Sequence, residues 1–207
     1  MFPNPQDALP LPPHPSIEQY HKLAKDLVKA CASGEGDAIG AWADRWLESL
    51  VRALGEPLTP RVRQRMDRTA DQVEEFATRK LTGGARTCVL ADAQFVIARS
   101  HGFDSWPKFV AHQGALAHTG TETAGFEAAA EAIVTGDEPA LRALLSANPG
   151  LIHARSTREH RATLLHYVAA NGVENYRQKT PKNIVAIARM LLEAGAEVDA
   201  EADVYGG

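Results

Sequence analysis

Aromatic residues make up only 6% of the 207-residue chain, and cysteine occurs twice. No run approaches the ~18 uninterrupted apolar residues that a membrane-spanning helix requires, so no membrane partner is expected. No segment alternates apolar and polar residues with β-branched enrichment, so strands are not expected either. A formal net charge of −4 lacks the basic excess on which bulk nucleic-acid binding depends. Cys31 and Cys88 fall within apparent helices and show no metal-ligand spacing. That fits a reducing compartment, and a cytoplasmic location is expected. The opening residues Met1-Phe2-Pro3-Asn4-Pro5 carry no basic segment followed by an apolar one, so no secretory signal is expected.

What remains is the composition of an ordinary folded chain, 44% hydrophobic and 23% charged, and helical periodicity dominates it. Residues 1–15 hold prolines at 3, 5, 10, 12, 13 and 15, which reads as an extended arm outside any packed element. Ser16-Ile17-Glu18-Gln19 is a capping box that opens a helix with Tyr20, Leu23, Leu27 and Cys31 on one face. Asp37 can cap a second helix with Trp42, Trp46 and Leu50 inward, stopped by Gly55. Thr59-Pro60 opens a third, broken by Gly83-Gly84. A fourth runs from about Cys88 to His101, where Gly102 supplies the left-handed residue that helix ends favour. Ser105 caps a fifth, to about Leu116. Residues 16–116 are therefore expected to form an all-helical module.

Residues 117–125 contain no large apolar side chain and read as a linker. Charge divides there as well. Residues 1–120 hold 14 basic and 14 acidic side chains, whereas 121–207 hold 8 and 12. Beyond the linker the sequence repeats itself. Phe126–Gly136 followed by Glu138–Leu145 is matched by Thr163–Gly172 followed by Ile184–Ala196, each a short alanine-rich helix, a glycine stop and a second helix. The stop glycines stand 36 residues apart. Thr163-Leu164-Leu165-His166 and Leu191-Leu192-Glu193-Ala194-Gly195-Ala196 resemble the tetrapeptide and second-helix exit of the ankyrin repeat.

The resemblance implies about two repeats at 126–207, with the start of a third, each a helix-turn-helix joined by short hairpin loops. It implies structural roles for Thr163, Leu165, His166, Gly172 and Gly195. The segment Leu90–Lys108 is similar to one found ahead of ankyrin repeats in some bacterial proteins, which implies location and no chemistry. Small alanines agree with the resemblance, because they let short helices approach closely. The fold class expected is thus mainly all-α, a helical module followed by ankyrin-type repeats.

Catalytic signatures are missing. Gly34-Glu35-Gly36-Asp37-Ala38-Ile39-Gly40 has the wrong final spacing for a dinucleotide fingerprint and follows a helix. His153, His160 and His166 fit no zinc pattern, and no nucleophile motif occurs. No enzyme activity, metal or cofactor is expected. Arg61, Arg63, Arg65 and Arg68 form a basic cluster, followed at once by Asp67, Asp71, Glu74 and Glu75, which suits a salt-bridged solvated face.

The function expected is a non-catalytic scaffold that binds another protein. Arg158, Glu159, His160 and Arg161 would stand at an exposed fingertip and contact it. The alternative gives the helical module an activity or nucleic-acid target of its own, read by Arg61, Arg65 and Arg68, with the repeats recruiting its partner. An insert at 173–182, whose Glu174, Arg177, Lys179 and Lys182 would keep it solvated, is expected to be exposed and mobile, with Tyr176 and Arg177 touching a partner. Asp203-Val204-Tyr205-Gly206-Gly207 reads as the opening of a further hairpin. On that reading the last helix pair exposes an apolar face, covered by further repeats, by another chain or by self-association.

Overall fold

The computed structural model describes residues 2–83, 88–169 and 173–204. Among the described residues all regular structure is helical and no strand occurs. No helix is long and apolar enough to cross a membrane. The chain divides into two compact units, Met1–Pro3 with Pro10–His101, and Asn4–Leu9 with Gly102–Gly207.

The first unit contains α1 (Ile17–Ala32), α2 (Ala38–Ala53), α3 (Pro60–Thr82) and α4 (Leu90–Ser100). Ser16 caps α1 through Gln19 N–H, and Thr59 caps α3 through Val62 N–H with Pro60 in the first turn. Asp37 precedes α2 without making the expected side-chain cap. The helices pack α1 on α2 and α4, and α2 along α3. Leu27, Val73, Leu81, Val96 and Ile97 are fully enclosed. Trp42 and Trp46 lie in this core as their helical spacing implies, and the Trp42 indole donates to the Leu23 carbonyl at 3.1 Å. The buried His101 ring meets Tyr20 and Trp46 edge-on. Gly84 lies outside the described residues.

The cysteines overturn the expectation placed on them. Cys31, in the last turn of α1, is joined by a disulfide to Cys88 across 57 residues. Cys88 precedes α4 instead of lying in it, at φ +59, a left-handed conformation disfavoured for any residue with a Cβ. A disulfide fits an oxidising compartment at least as well as a reducing one, so the cysteines no longer favour the cytoplasm.

The second unit contains α5 (Trp106–Leu116), α6 (Glu122–Thr135), α7 (Glu138–Ala147), α8 (Leu164–Ala169) and α9 (Ile184–Glu193), with 3-10 turns at Pro149–His153 and Asn175–Arg177. Two expected boundaries shift. Helix α5 belongs with the later helices, because Gly102 at φ +82 turns the chain after His101 and Phe103 and Phe109 pack together beyond it. The supposed linker at 117–125 shortens to five residues, because 122–125 are the first turn of α6, which Thr121 caps by accepting from Ala124 N–H at 3.1 Å. Helix α6 then packs against α5, α7 and α8, and α9 against α8. Ala129, Ala130 and Ala132 on α6 are buried and permit that close approach, around Ile133, Leu141, Leu164, Tyr167 and Ile187. Trp106, half-buried, lies tilted against Phe109 with ring centroids 5.5 Å apart.

The arm at 1–15 is not the free lead-in that its prolines suggested. Residues Asn4–Leu9 belong to the second unit, with a 3-10 turn at Pro5–Asp7 and with Ala8 and Leu9 buried.

Candidate functional site

Four charged residues and a tyrosine of the second unit meet in its interior. Glu127 projects from α6, Arg158 from the turn before α8, and Glu174, Tyr176 and Arg177 from the segment between α8 and α9. Arg158 Nε lies 2.6 Å from Glu174 Oε1, and Arg177 Nη1 lies 2.7 Å from Glu127 Oε2 and 3.8 Å from Glu174 Oε1. Arg158 Nη2 donates to the Tyr176 hydroxyl at 3.1 Å, and its guanidinium covers the Phe103 ring. His160 Nδ1 accepts from Ala162 N–H, which leaves Nε2 as the protonated nitrogen, 3.4 Å from Glu174 Oε1.

Electrostatics inside this cluster follow from burial and pairing. Burial works to raise the Glu174 carboxyl, but Arg158, His160 and Arg177 overcome it and hold it far below the usual carboxylate range. Glu127 is likewise held low against burial by Arg177 and Arg158. Burial pushes the Tyr176 phenol up to about 12, against the pull of Arg158. Tyr167, whose buried hydroxyl finds no hydrogen-bond partner among the described groups, is raised well above its ordinary value by burial. His112, on α5, is lowered to about 4, first by burial, and its Nδ1 sits 2.6 Å from Thr157 Oγ1. Two guanidiniums and two carboxylates nearly cancel. The cluster acts as a structural lock that ties α6, the turn before α8 and the 174–177 turn together.

These positions correct the expected contact residues. Arg158 and His160 are 2% and 1% exposed and sit inside the lock, not at an open fingertip. Glu159 is half-buried and donates its N–H to the Gly102 carbonyl at 2.8 Å, while Arg161 alone is exposed, in a left-handed conformation at φ +50. The insert at 173–182 is anchored, with Val173, Glu174 and Arg177 buried and Tyr176 half-buried on Arg158. Its end rests on α6: Asn183 Nδ2 donates to the Gly136 carbonyl at 2.9 Å, and a Cβ on Gly136 would stand 2.9 Å from Pro181 Cβ. Charge pairing across the fold, absent from the local pattern, drew these residues in.

The motif residues bind the turn before α8. Thr163 N–H donates to His166 Nδ1 at 3.2 Å, and Thr163 Oγ1 lies 2.9 Å from the same nitrogen. Burial, then the neighbouring Arg155 and His160, lower the His166 ring, opposed by a hydrogen bond to the Ala200 backbone. Leu165 is half-buried, and Gly195 ends α9 at φ +97. Gly172, with Tyr205, Gly206 and Gly207, lies outside the described residues. Arg155 bridges the Arg161 and Glu201 carbonyls, and Asp203 N–H donates to the His160 carbonyl, so 201–203 lies beside the 155–162 loop.

Elsewhere the first unit carries a groove of ≈ 1040 Å³ between α1 and α2, with Tyr20, Leu23, Asp26, Lys29, Trp42 and Arg45 among its walls. Arg61, Arg65 and Arg68 are exposed near the start of α3, Arg65 paired with Glu56. Among the described residues, no three His, Cys, Asp or Glu side chains converge as a metal site. No protein-family model, no curated protein and no solved structure matches this chain.

Proposed function

We propose that the second unit is a non-catalytic protein-binding scaffold in which α6–α7 and α8–α9 act as two stacked ankyrin-type helix pairs. One observation carries the reading. Helix α9 buries Ile187, Met190 and Leu191 while leaving Val185 and Leu192 68% and 46% exposed, with Val198 71% exposed beyond its end. Residues 185 and 192 are seven apart and share a helix face. Arg189 is exposed on the same face between them, and Glu193, Glu197 and Asp199 are exposed at and beyond the helix end. An apolar stripe with a charged rim is the make-up of a protein-contact surface, and the acids select a partner with basic residues around an apolar centre. The Thr163–His166 bonds and the adjacency of the 155–162 and 201–203 loops support the ankyrin-type reading.

A photo-crosslinking residue at position 192 of the full chain, in its native cells, would identify the partner for reassembly from purified components. V185D/L192D is expected to weaken that complex at least tenfold while leaving the melting temperature within a few degrees. A partner bound equally well by V185D/L192D overturns the assignment. Sedimentation of the full chain over a concentration series tells whether the partner is a second copy.

A further inference from the structure

We propose that Asn4–Leu9 is a tethered ligand resting in a peptide-docking cradle on the second unit, and that the cradle accepts in exchange a partner's extended segment carrying the same Asp-Ala-Leu chemistry. The resident segment shows what fits. Asn175 Nδ2, from the 3-10 turn between α8 and α9, donates to Asp7 Oδ1 at 3.1 Å. Ala8 and Leu9, each 5% exposed, are the buried apolar part of the segment. A Cβ built on Gly102 would lie 2.9 Å from the Ala8 Cβ, with Arg158 Cδ 4.0 Å away, so a bare backbone at 102 is what lets Ala8 settle there. Pro5 starts the 3-10 turn Pro5–Asp7 that presents Asp7.

The buried lock explains why the cradle is stiff. Arg158, on one side of Gly102, is held by Glu174 and Tyr176, and the Glu159 N–H is fixed to the Gly102 carbonyl. Asn175 stands between Glu174 and Tyr176 in sequence, so the ion pair that anchors the insert also sets the donor for Asp7. Arg158 and the 174–177 turn thus act as positioning residues beneath a peptide.

The resident segment is also exchangeable. Its grip includes an exposed hydrogen bond and two buried side chains, and a free six-residue peptide held over so small a surface has a Kd of roughly mM. The short connection Pro10–Ser16 supplies a higher effective concentration, ~10 mM, roughly tenfold above that Kd. Tethering therefore keeps the cradle closed in the free protein while leaving a measurable open fraction. A longer segment with additional contacts displaces it. This inference does not rest on the α9 surface.

The test uses a fluorescent peptide spanning Phe2–Pro10. It is expected to bind the chain lacking residues 1–9 and to bind the full chain at least fivefold more weakly. N175A in the shortened chain should weaken it about threefold, and Leu9→Asp in the peptide should abolish binding. V185D/L192D should leave peptide binding unchanged, which separates failure here from failure of the scaffold reading. Equal affinity for both chains, or no binding by a shortened chain with an unaltered circular dichroism spectrum, overturns the proposal. Should the shortened chain not fold, hydrogen exchange on the full chain decides. N175A is expected to speed deuteration of residues 4–9 severalfold while α6–α9 stay protected, and no change overturns it. A dimer of the full chain that disappears on removing residues 1–9 also overturns it, since the occupant would then be a second copy.

Discussion

The two units are fastened in different chemical ways. The first closes its aromatic and aliphatic core with a covalent bond, Cys31 to Cys88, spanning 57 residues that include α2 and α3. The second packs alanines of α6 against its neighbours and fastens its longest excursion with buried ion pairs, Arg158–Glu174 and Arg177–Glu127. A disulfide acts chiefly by restricting the unfolded chain and is indifferent to moderate acid. Buried charges act only while every partner is ionised and present. The same chain therefore answers to reductant in one part and to proton activity in the other.

The sharpest way to break that contrast is to remove one buried charge. Glu174→Ala leaves Arg158 and Arg177 facing each other without the carboxylate that both approach. Breaking a buried pair of this kind costs about 3–5 kcal/mol. Hydrogen exchange read by mass spectrometry should show α8, α9 and the insert losing protection while α1–α4 keep theirs. Uniform loss over both units would show that the fastenings are not independent. The mirror experiment is C31S/C88S, or reduction of the native chain. It is expected to destabilise the first unit by about 2–4 kcal/mol, in the usual range for closing a loop of this length. Here protection should fall in α1 and α3 and persist in α6–α9.

How far each fastening could be read in advance depends on how local it is. Caps were legible because Ser16, Thr59 and Ser105 sit three residues from the N–H they accept. Thr121 had the same signal, but it was masked by the lack of large apolar residues in 117–125. The apolar faces of α1, α2 and α9 follow a 3.6-residue period and were equally plain. The lock was not legible. Glu127, Arg158 and Arg177 are 31 and 19 residues apart, and each looks solvated within its own segment. The one local hint was Glu174 with Arg177 at i, i+3, beside the apolar Val173 and Tyr176. The disulfide has no local signature either, since α2 and α3 intervene between its cysteines.

Acid sharpens the comparison with a smaller effect. His112 is lowered from 6.5 to about 4, so the neutral ring it keeps in the folded state is a stabilisation present above pH 6.5 and lost as pH falls toward 4. Glu127 and Glu174 are also depressed, so their contribution is full above about pH 4.5 and is lost only as pH falls further, through their folded values. Both changes carry the same sign. The second unit should weaken in two stages, the first worth up to about 3 kcal/mol between pH 6.5 and 4. Denaturant melts at half-unit pH steps check this, and H112N should flatten the first stage while leaving the second. A first stage that follows the disulfide unit instead would contradict the assignment to His112.

The smallest effect probes the turn at Thr163. Its hydroxyl and N–H both meet His166 Nδ1, while the ring is tied on its other side to the Ala200 backbone. Thr163→Val keeps the β-branched shape and the N–H but removes the hydroxyl, so the loss should stay near ~1 kcal/mol, the usual net worth of one hydrogen bond. His166→Ala removes the acceptor from both donors and leaves the mostly buried Thr163 unsatisfied, so it should cost about 1–3 kcal/mol. If the pair acts as one device, the double variant will cost no more than His166→Ala alone, because the hydroxyl has nothing left to bond. A double-mutant cycle in urea measures this coupling directly. Strict additivity would mean that the 2.9 Å approach contributes nothing, and that the turn before α8 rests on its other bonds, such as Ala162 N–H to His160 and Ser156 N–H to the Ala162 carbonyl, and on the packing of Leu164.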